Sequence, residues 1–155
     1  MRLSVALLFL FACGGDPEPP GELVVELGTG EVAFEALTDG TTLPLVAGPQ
    51  GGHHVWIGFR VAGMASDRAY LTVEPIPLAT GELPPRAAPV RVILSGLDDG
   101  RREYFGWPAQ LAEPGCLVGE QLILRVTIED ERGSRGSDER TIVVGKGTGV
   151  PACPE

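Results

Sequence analysis

The 155-residue chain has no asparagine, a single lysine (Lys146) against eleven arginines, and no stretch with apolar residues at helical spacing. The first two absences read as codon composition in a GC-rich genome, and no function attaches to them. The third excludes long amphipathic helices, which must repeat apolar residues every three to four positions to bury one face. Its 22 glycines and 14 prolines interrupt the chain further. No GxSxG elbow is present, the few serines beyond the N-terminus fall in turn-like contexts such as 133–137, and a histidine-based triad would have to draw on one adjacent pair, so hydrolase chemistry ranks third among the readings. The 21 acidic residues show no spacing that selects a catalytic pair, and Leu97-Asp98-Asp99-Gly100 is too short for a calcium loop and reads as a turn. The expectation is therefore a protein without catalysis and without a cofactor.

What is present begins with the N-terminal MRLSVALLFLFACGG, a basic start at Arg2 followed by ten apolar or small residues. That run is half of the roughly 20 residues a spanning helix needs, and it has the form of an export signal. Its last four residues, Leu10-Phe11-Ala12-Cys13, resemble the lipobox of bacterial lipoproteins, with Phe11 bulkier than usual. The resemblance implies that residues 1–12 are removed and that Cys13 carries the lipid. Several acyl chains at about 0.8 kcal/mol per buried methylene make such an anchor effectively permanent. Residues 13–21 then form a Gly/Pro-rich tether with nothing apolar to dock, ahead of one domain over 22–155. In the sorting rules of that family an aspartate directly after the cysteine retains the protein in the inner membrane. Here Gly14 follows and the aspartate comes at Asp16, so the resemblance implies an outer-membrane lipoprotein of the cell envelope.

The mature chain would carry 21 acidic against 11 basic residues, which argues against nucleic acid and against anionic lipid surfaces as partners. With Cys13 assigned to lipid, Cys116 and Cys153 remain as a pair in an oxidising compartment, where disulfides persist. Two strands, 121–130 and 138–144, joined by a loop over 131–137, would form a hairpin setting residue 121 opposite about residue 147. Both cysteines fall at the open end of that hairpin.

Period-two alternation recurs along the chain. In QLILRVTIED, Leu122, Leu124, Val126 and Ile128 share one face, as expected of a half-buried antiparallel strand. Similar patterns occur over 22–27, 31–37, 53–62, 69–74, 89–95 and 140–144. About seven strands with turn signals between them predict an all-β, antiparallel two-sheet sandwich. The stretch LRVTIEDERGSRGSDERTIVV resembles the last hairpin of immunoglobulin-like (Ig-like) and PKD-like modules, although the immunoglobulin pattern of two core cysteines bracketing a tryptophan is missing. The run GPQGGHHVWIGFRV resembles predicted lipoproteins of myxobacterial type, which implies a location and no activity.

Two features are candidates for a site. His53 and His54, the only histidines, open a strand in which successive side chains point to opposite faces, so His53 falls with Val55 and Ile57 while His54 falls with Trp56. Chelation from a strand needs positions i and i+2, and commonly three or four ligands. A metal-binding module using this pair is accordingly the second reading, behind His53 capping the core edge and His54 exposed beside Trp56. The other feature is the stretch 96–116, expected as a long loop, which concentrates Arg101, Arg102, Tyr104, Phe105 and Trp107, the residue types of binding hot spots. The alternative there is that Tyr104 and Phe105 begin a strand and Trp107 plugs the sandwich end. The leading expectation is a lipid-anchored envelope protein with a binding or structural role toward an envelope protein or glycan.

Overall fold

The computed structural model describes residues 21–49, 51–81 and 87–154, so Cys13, the lipobox-like segment and most of the expected tether lie outside the described residues. Eleven strands and one short helix follow in the order β1 (Val24–Thr29), β2 (Glu35–Ala36), β3 (Thr41–Pro44), β4 (Val46–Ala47), β5 (His53–Ala62), β6 (Arg68–Pro77), β7 (Val90–Ile93), β8 (Ser95–Gly96), β9 (Arg102–Leu111), α1 (Pro114–Leu117), β10 (Gln121–Asp130) and β11 (Arg135–Gly145). They form a two-sheet β-sandwich. One sheet runs β2-β1-β5-β9-β8, with β4 also on β5, and the other runs β3-β11-β10-β6-β7.

The alternating patterns read from sequence produce the core. Val55, Ile57, Phe59 and Val61 of β5 and Leu122, Leu124, Val126 and Ile128 of β10 are all fully buried, from opposite sheets. Each such side chain contributes roughly 1.5–3 kcal/mol by leaving water. The bounds of β5 and β10 are those expected. The pairing of β10 with β11 is tighter than expected: Gln121 faces Val143, and only residues 131–134 form the turn, because β11 starts at Arg135. Asp130 tightens this turn, its Oδ1 accepting from the backbone N–H groups of Arg132 and Ser134 at 2.9 Å each.

Three expectations need correction. The sheet pairs are antiparallel except one: β3, a strand too short for alternation to reveal, runs parallel to β11, with Val144 opposite Leu43. The strand expected over 31–37 shrinks to β2, because the chain before it crosses the outer face of the first sheet. Gly28 and Gly58 face each other across β1 and β5, and a Cβ on them would lie 2.3 Å and 3.3 Å from the Phe34 ring. The missing side chains make room for Phe34, and the Arg60 guanidinium closes over its ring at 4.1 Å. Third, the stretch expected as a long loop contains strand β9, so Tyr104 and Phe105 lie in a strand as the alternative reading had it, preceded by the Leu97–Gly100 turn, in which Leu97 N–H donates to the Arg101 carbonyl at 2.8 Å.

The disulfide joins Cys116 to Cys153, with Cα atoms 4.5 Å apart, and ties α1 to the chain beyond β11. Among the described residues no helix is long and apolar enough to cross a membrane.

Candidate functional site

Among the described residues the two sheets do not close along one side. On the second sheet, β7 pairs with β6 only over Arg68–Leu71, so the remainder of β6, to Pro77, has no described strand on that flank. On the first sheet, β8 pairs with β9 only at Arg102 and Glu103, and no described strand flanks it from Tyr104 to Leu111. The inward faces of these half-unpaired strands bound an apolar cleft of about 1110 Å³. Its β6 wall is Leu71, Val73, Pro75 and Pro77, which face the interior because they pair with Ile128, Val126, Leu124 and Leu122 of β10. Its β9 wall is Trp107, Ala109 and Leu111, and Leu117 and Cys116 close one end.

A β-bulge sets the β9 wall. Tyr104 lies opposite Phe59 and Trp107 opposite Ile57, and both partners point inward, although residues three apart in a regular strand face opposite ways. The register shifts between them, opposite Gly58, and the extra residue returns Trp107 to the inner face. Gly106 takes this position with φ +71, and its N–H donates to the Gly30 carbonyl at 2.9 Å. Tyr104 stacks on Phe59 (centroids 5.6 Å apart) and meets Trp107 edge-on at 6.2 Å, which braces the indole.

The flanks of β6 and β9 that no described strand covers carry prolines, and the Pro77 carbonyl accepts from the Gly81 N–H at 2.8 Å in the turn after β6. Pro108 lies opposite Trp56, whose carbonyl accepts from the Thr29 hydroxyl on the β1 side at 2.7 Å. The backbone N–H and C=O of Trp56 therefore point away from β9, and the donor that Pro108 lacks is one that would face the open edge. Pro75 and Pro77, two apart on β6, hold equivalent places on the other wall. An added strand would find donors missing on both edges, so the cleft suits an occupant that slides between the sheets.

The five side chains of the arginine-aromatic stretch are divided. Tyr104 and Trp107 point inward. Phe105 is exposed on the outer surface, and Arg101 bridges Asp99 (Nε to Oδ2 2.8 Å) and Glu26 (Nη1 to Oε2 3.0 Å). The backbone and side-chain donors of Arg101 hold the Asp99 carboxyl below the usual carboxylate range, and Asp99 in turn raises Arg101. Arg102 lies opposite Val61 at the sandwich end away from the cleft.

His53 lies opposite Leu111 and its Nε2 donates to the Gly149 carbonyl at 3.2 Å, a core-edge cap. His54 departs from the expected exposure: it is 4% exposed, because β4 pairs alongside it and its ring packs edge-on against Trp56 at 4.3 Å. Neither of its ring nitrogens has a hydrogen-bond partner among the described residues. Burial lowers its pKa, Glu31 opposes this and His53 adds to it. The two rings project to opposite faces of β5, and among the described residues no group of three or more His, Cys, Asp or Glu could hold a metal ion.

Sequence reasoning missed the β6 wall, although the alternating prolines of Glu74-Pro75-Ile76-Pro77 are an edge-strand signal. It also missed the cleft's charged residues among those described, Glu113 and Glu120, which no motif marks. Compared with known proteins, the chain matches no family model and has no significant match among curated proteins.

Proposed function

We propose that this protein is a lipid-anchored component of the cell envelope that acts by binding, without catalysis, and that the cleft between β6 and β9 receives an apolar ligand. The cleft carries the reading: its volume slightly exceeds the usual range of small-molecule sites, and its walls are aliphatic and aromatic with polar groups at the rim. The anchor rests on the lipobox-like Leu10 to Cys13, and the outer membrane on the absence of an aspartate directly after Cys13.

The tether joins the domain at Gly21, whose N–H donates to Ser134 Oγ at 3.1 Å beside the β10–β11 turn. The cleft reaches Gln121 and Leu122 at the other end of β10, about 30 Å away at roughly 3.3 Å per residue. The cleft thus runs along the domain, from Leu71, opposite Ile128 and near the tether, to the end at Gln121 that lies farthest from it.

The test uses Trp107 as reporter, with Trp56→Phe removing the second indole. Titration with a neutral dodecyl glucoside below its micelle-forming concentration should change Trp107 fluorescence saturably, with one site per chain. Ala79→Trp, at the exposed rim, should weaken binding at least tenfold in a displacement assay while leaving thermal unfolding unchanged. A linear, unsaturable response in the parent protein would refute the cleft. Detergent partitioning of wild type against Cys13→Ser tests the anchor separately, and equal behaviour of the two would refute it.

A further inference from the structure

The charge at the cleft rim selects among apolar ligands. Among the described residues that line the cleft, the charged ones are Glu113 and Glu120, and neither lysine nor arginine occurs there. Both carboxylates are exposed, and neither makes an ion pair or a side-chain hydrogen bond with a described residue. This contrasts with the outer face of the same sheet, where Glu26, Asp99 and Glu103 are all engaged by Arg101 or Arg60. The two unengaged acids flank α1, the segment that the disulfide pins across the end of the cleft.

The backbone holds the first of them in place. Glu113 has φ 48, the left-handed region, and is the non-glycine residue with positive φ among the described residues. It directly precedes Pro114, and the Cys116 N–H donates to its carbonyl at 2.9 Å, so the turn into α1 fixes where the side chain leaves the chain. Gln121 adds an uncharged amide to the same rim. A ligand with an anionic end would meet two uncompensated carboxylates there, whereas a cationic end would meet two partners that need give up nothing else.

We infer that the cleft takes a freely diffusing single-chain amphiphile with a cationic end, its apolar chain between β6 and β9 beside Trp107 and its head at Glu113 and Glu120. The inference rests on the cleft being a binding site. The free molecule is the source because the head-group end of the cleft, at Glu120 and Gln121, lies about 30 Å by strand rise from the turn where the tether joins.

The experiment compares dodecylammonium, dodecanoate and neutral dodecyl glucoside, all below their micelle-forming concentrations, on the full chain carrying Trp56→Phe. It is run at 0.15 M salt, where the screening length of about 8 Å mutes the protein's overall negative charge and leaves contact pairs intact. Dodecylammonium is expected to bind at least tenfold more tightly than dodecanoate. The exposed double change Glu113→Gln with Glu120→Gln should reduce that preference to threefold or less, each ion's affinity being taken relative to the glucoside's in the same variant. Equal affinity for the two ions, or a preference that survives in the double variant, would overturn the head-group assignment and leave the cleft standing. Absence of a saturable response to all three amphiphiles would overturn the cleft reading itself.

Discussion

His54 shows how one residue can couple stability to pH. Its two ring nitrogens are buried without partners, and an unmade hydrogen bond of this kind costs roughly 1–3 kcal/mol. Burial holds the folded-state pKa below the ordinary value of about 6.5, with His53 adding to the depression and Glu31 opposing it. Above pH 6.5 both folded and unfolded chains carry a neutral ring, and the full contribution to stability is present. As the pH falls below 6.5, the unfolded chain takes up a proton that the folded chain refuses, so stability declines until the folded pKa is reached. His54→Phe keeps the edge-on contact with Trp56 and removes the titration. It is expected to raise stability by about 1 kcal/mol at pH 7.5 and to flatten the difference between pH 7.5 and pH 5, read from urea midpoints. A variant with the wild-type pH slope would assign the slope to other groups. That the ring is buried at all was illegible from alternation, which put His54 on the solvent side beside Trp56; the pairing of β4 alongside it is what alternation did not reveal.

At the scale of elements, legibility followed regularity. Strands β5 and β10 alternate without interruption and their bounds were readable residue for residue. Strand β9 was legible only as one of two readings at Tyr104 and Phe105, because its bulge puts Tyr104 and Trp107 on one face at a spacing that a period-two reading assigns to opposite faces, and Pro108 adds a breaker signal. Of the candidate site, the sequence pointed to Trp107 and to Cys116. It did not point to β6, whose two prolines read as the end of a strand when they are its exposed edge. Those prolines support a prediction. Pro75→Thr with Pro77→Thr restores two backbone donors on the flank of β6 that no described strand covers, and β-branched threonine favours extended structure. The double variant is expected to fold and to self-associate, with concentration-dependent dimers or larger species by light scattering at concentrations where the parent is monomeric. If it stays monomeric at every concentration reached, the prolines are not what protects this edge.

For the whole molecule, the disulfide is the largest single constraint outside the core. It closes a loop spanning a sequence separation of 37 and containing both β10 and β11. The chain-entropy model gives such a closure about 4 kcal/mol. Cys116→Ser with Cys153→Ser should lower unfolding stability by about that amount, and because Cys116 and Leu117 line the cleft end, ligand-induced quenching of Trp107 should weaken in the same variant. Unchanged ligand affinity at reduced stability would show that α1 holds its place without the staple.

Local order in the chain determined the class of the fold and the faces of the two central strands, because alternation is a short-range property that a strand carries with it, and the cysteine pairing followed by elimination once Cys13 was assigned to lipid. The lipobox-like segment is likewise a local signal, and the anchor proposed from it needs no tertiary argument. The cleft needed the tertiary structure. It lies where, among the described residues, β7 and β8 flank only part of β6 and β9 on different sheets, and where a bulge opposite Gly58 turns Trp107 into the resulting gap. Each of those facts relates residues far apart in sequence, and no window of the chain contains both walls.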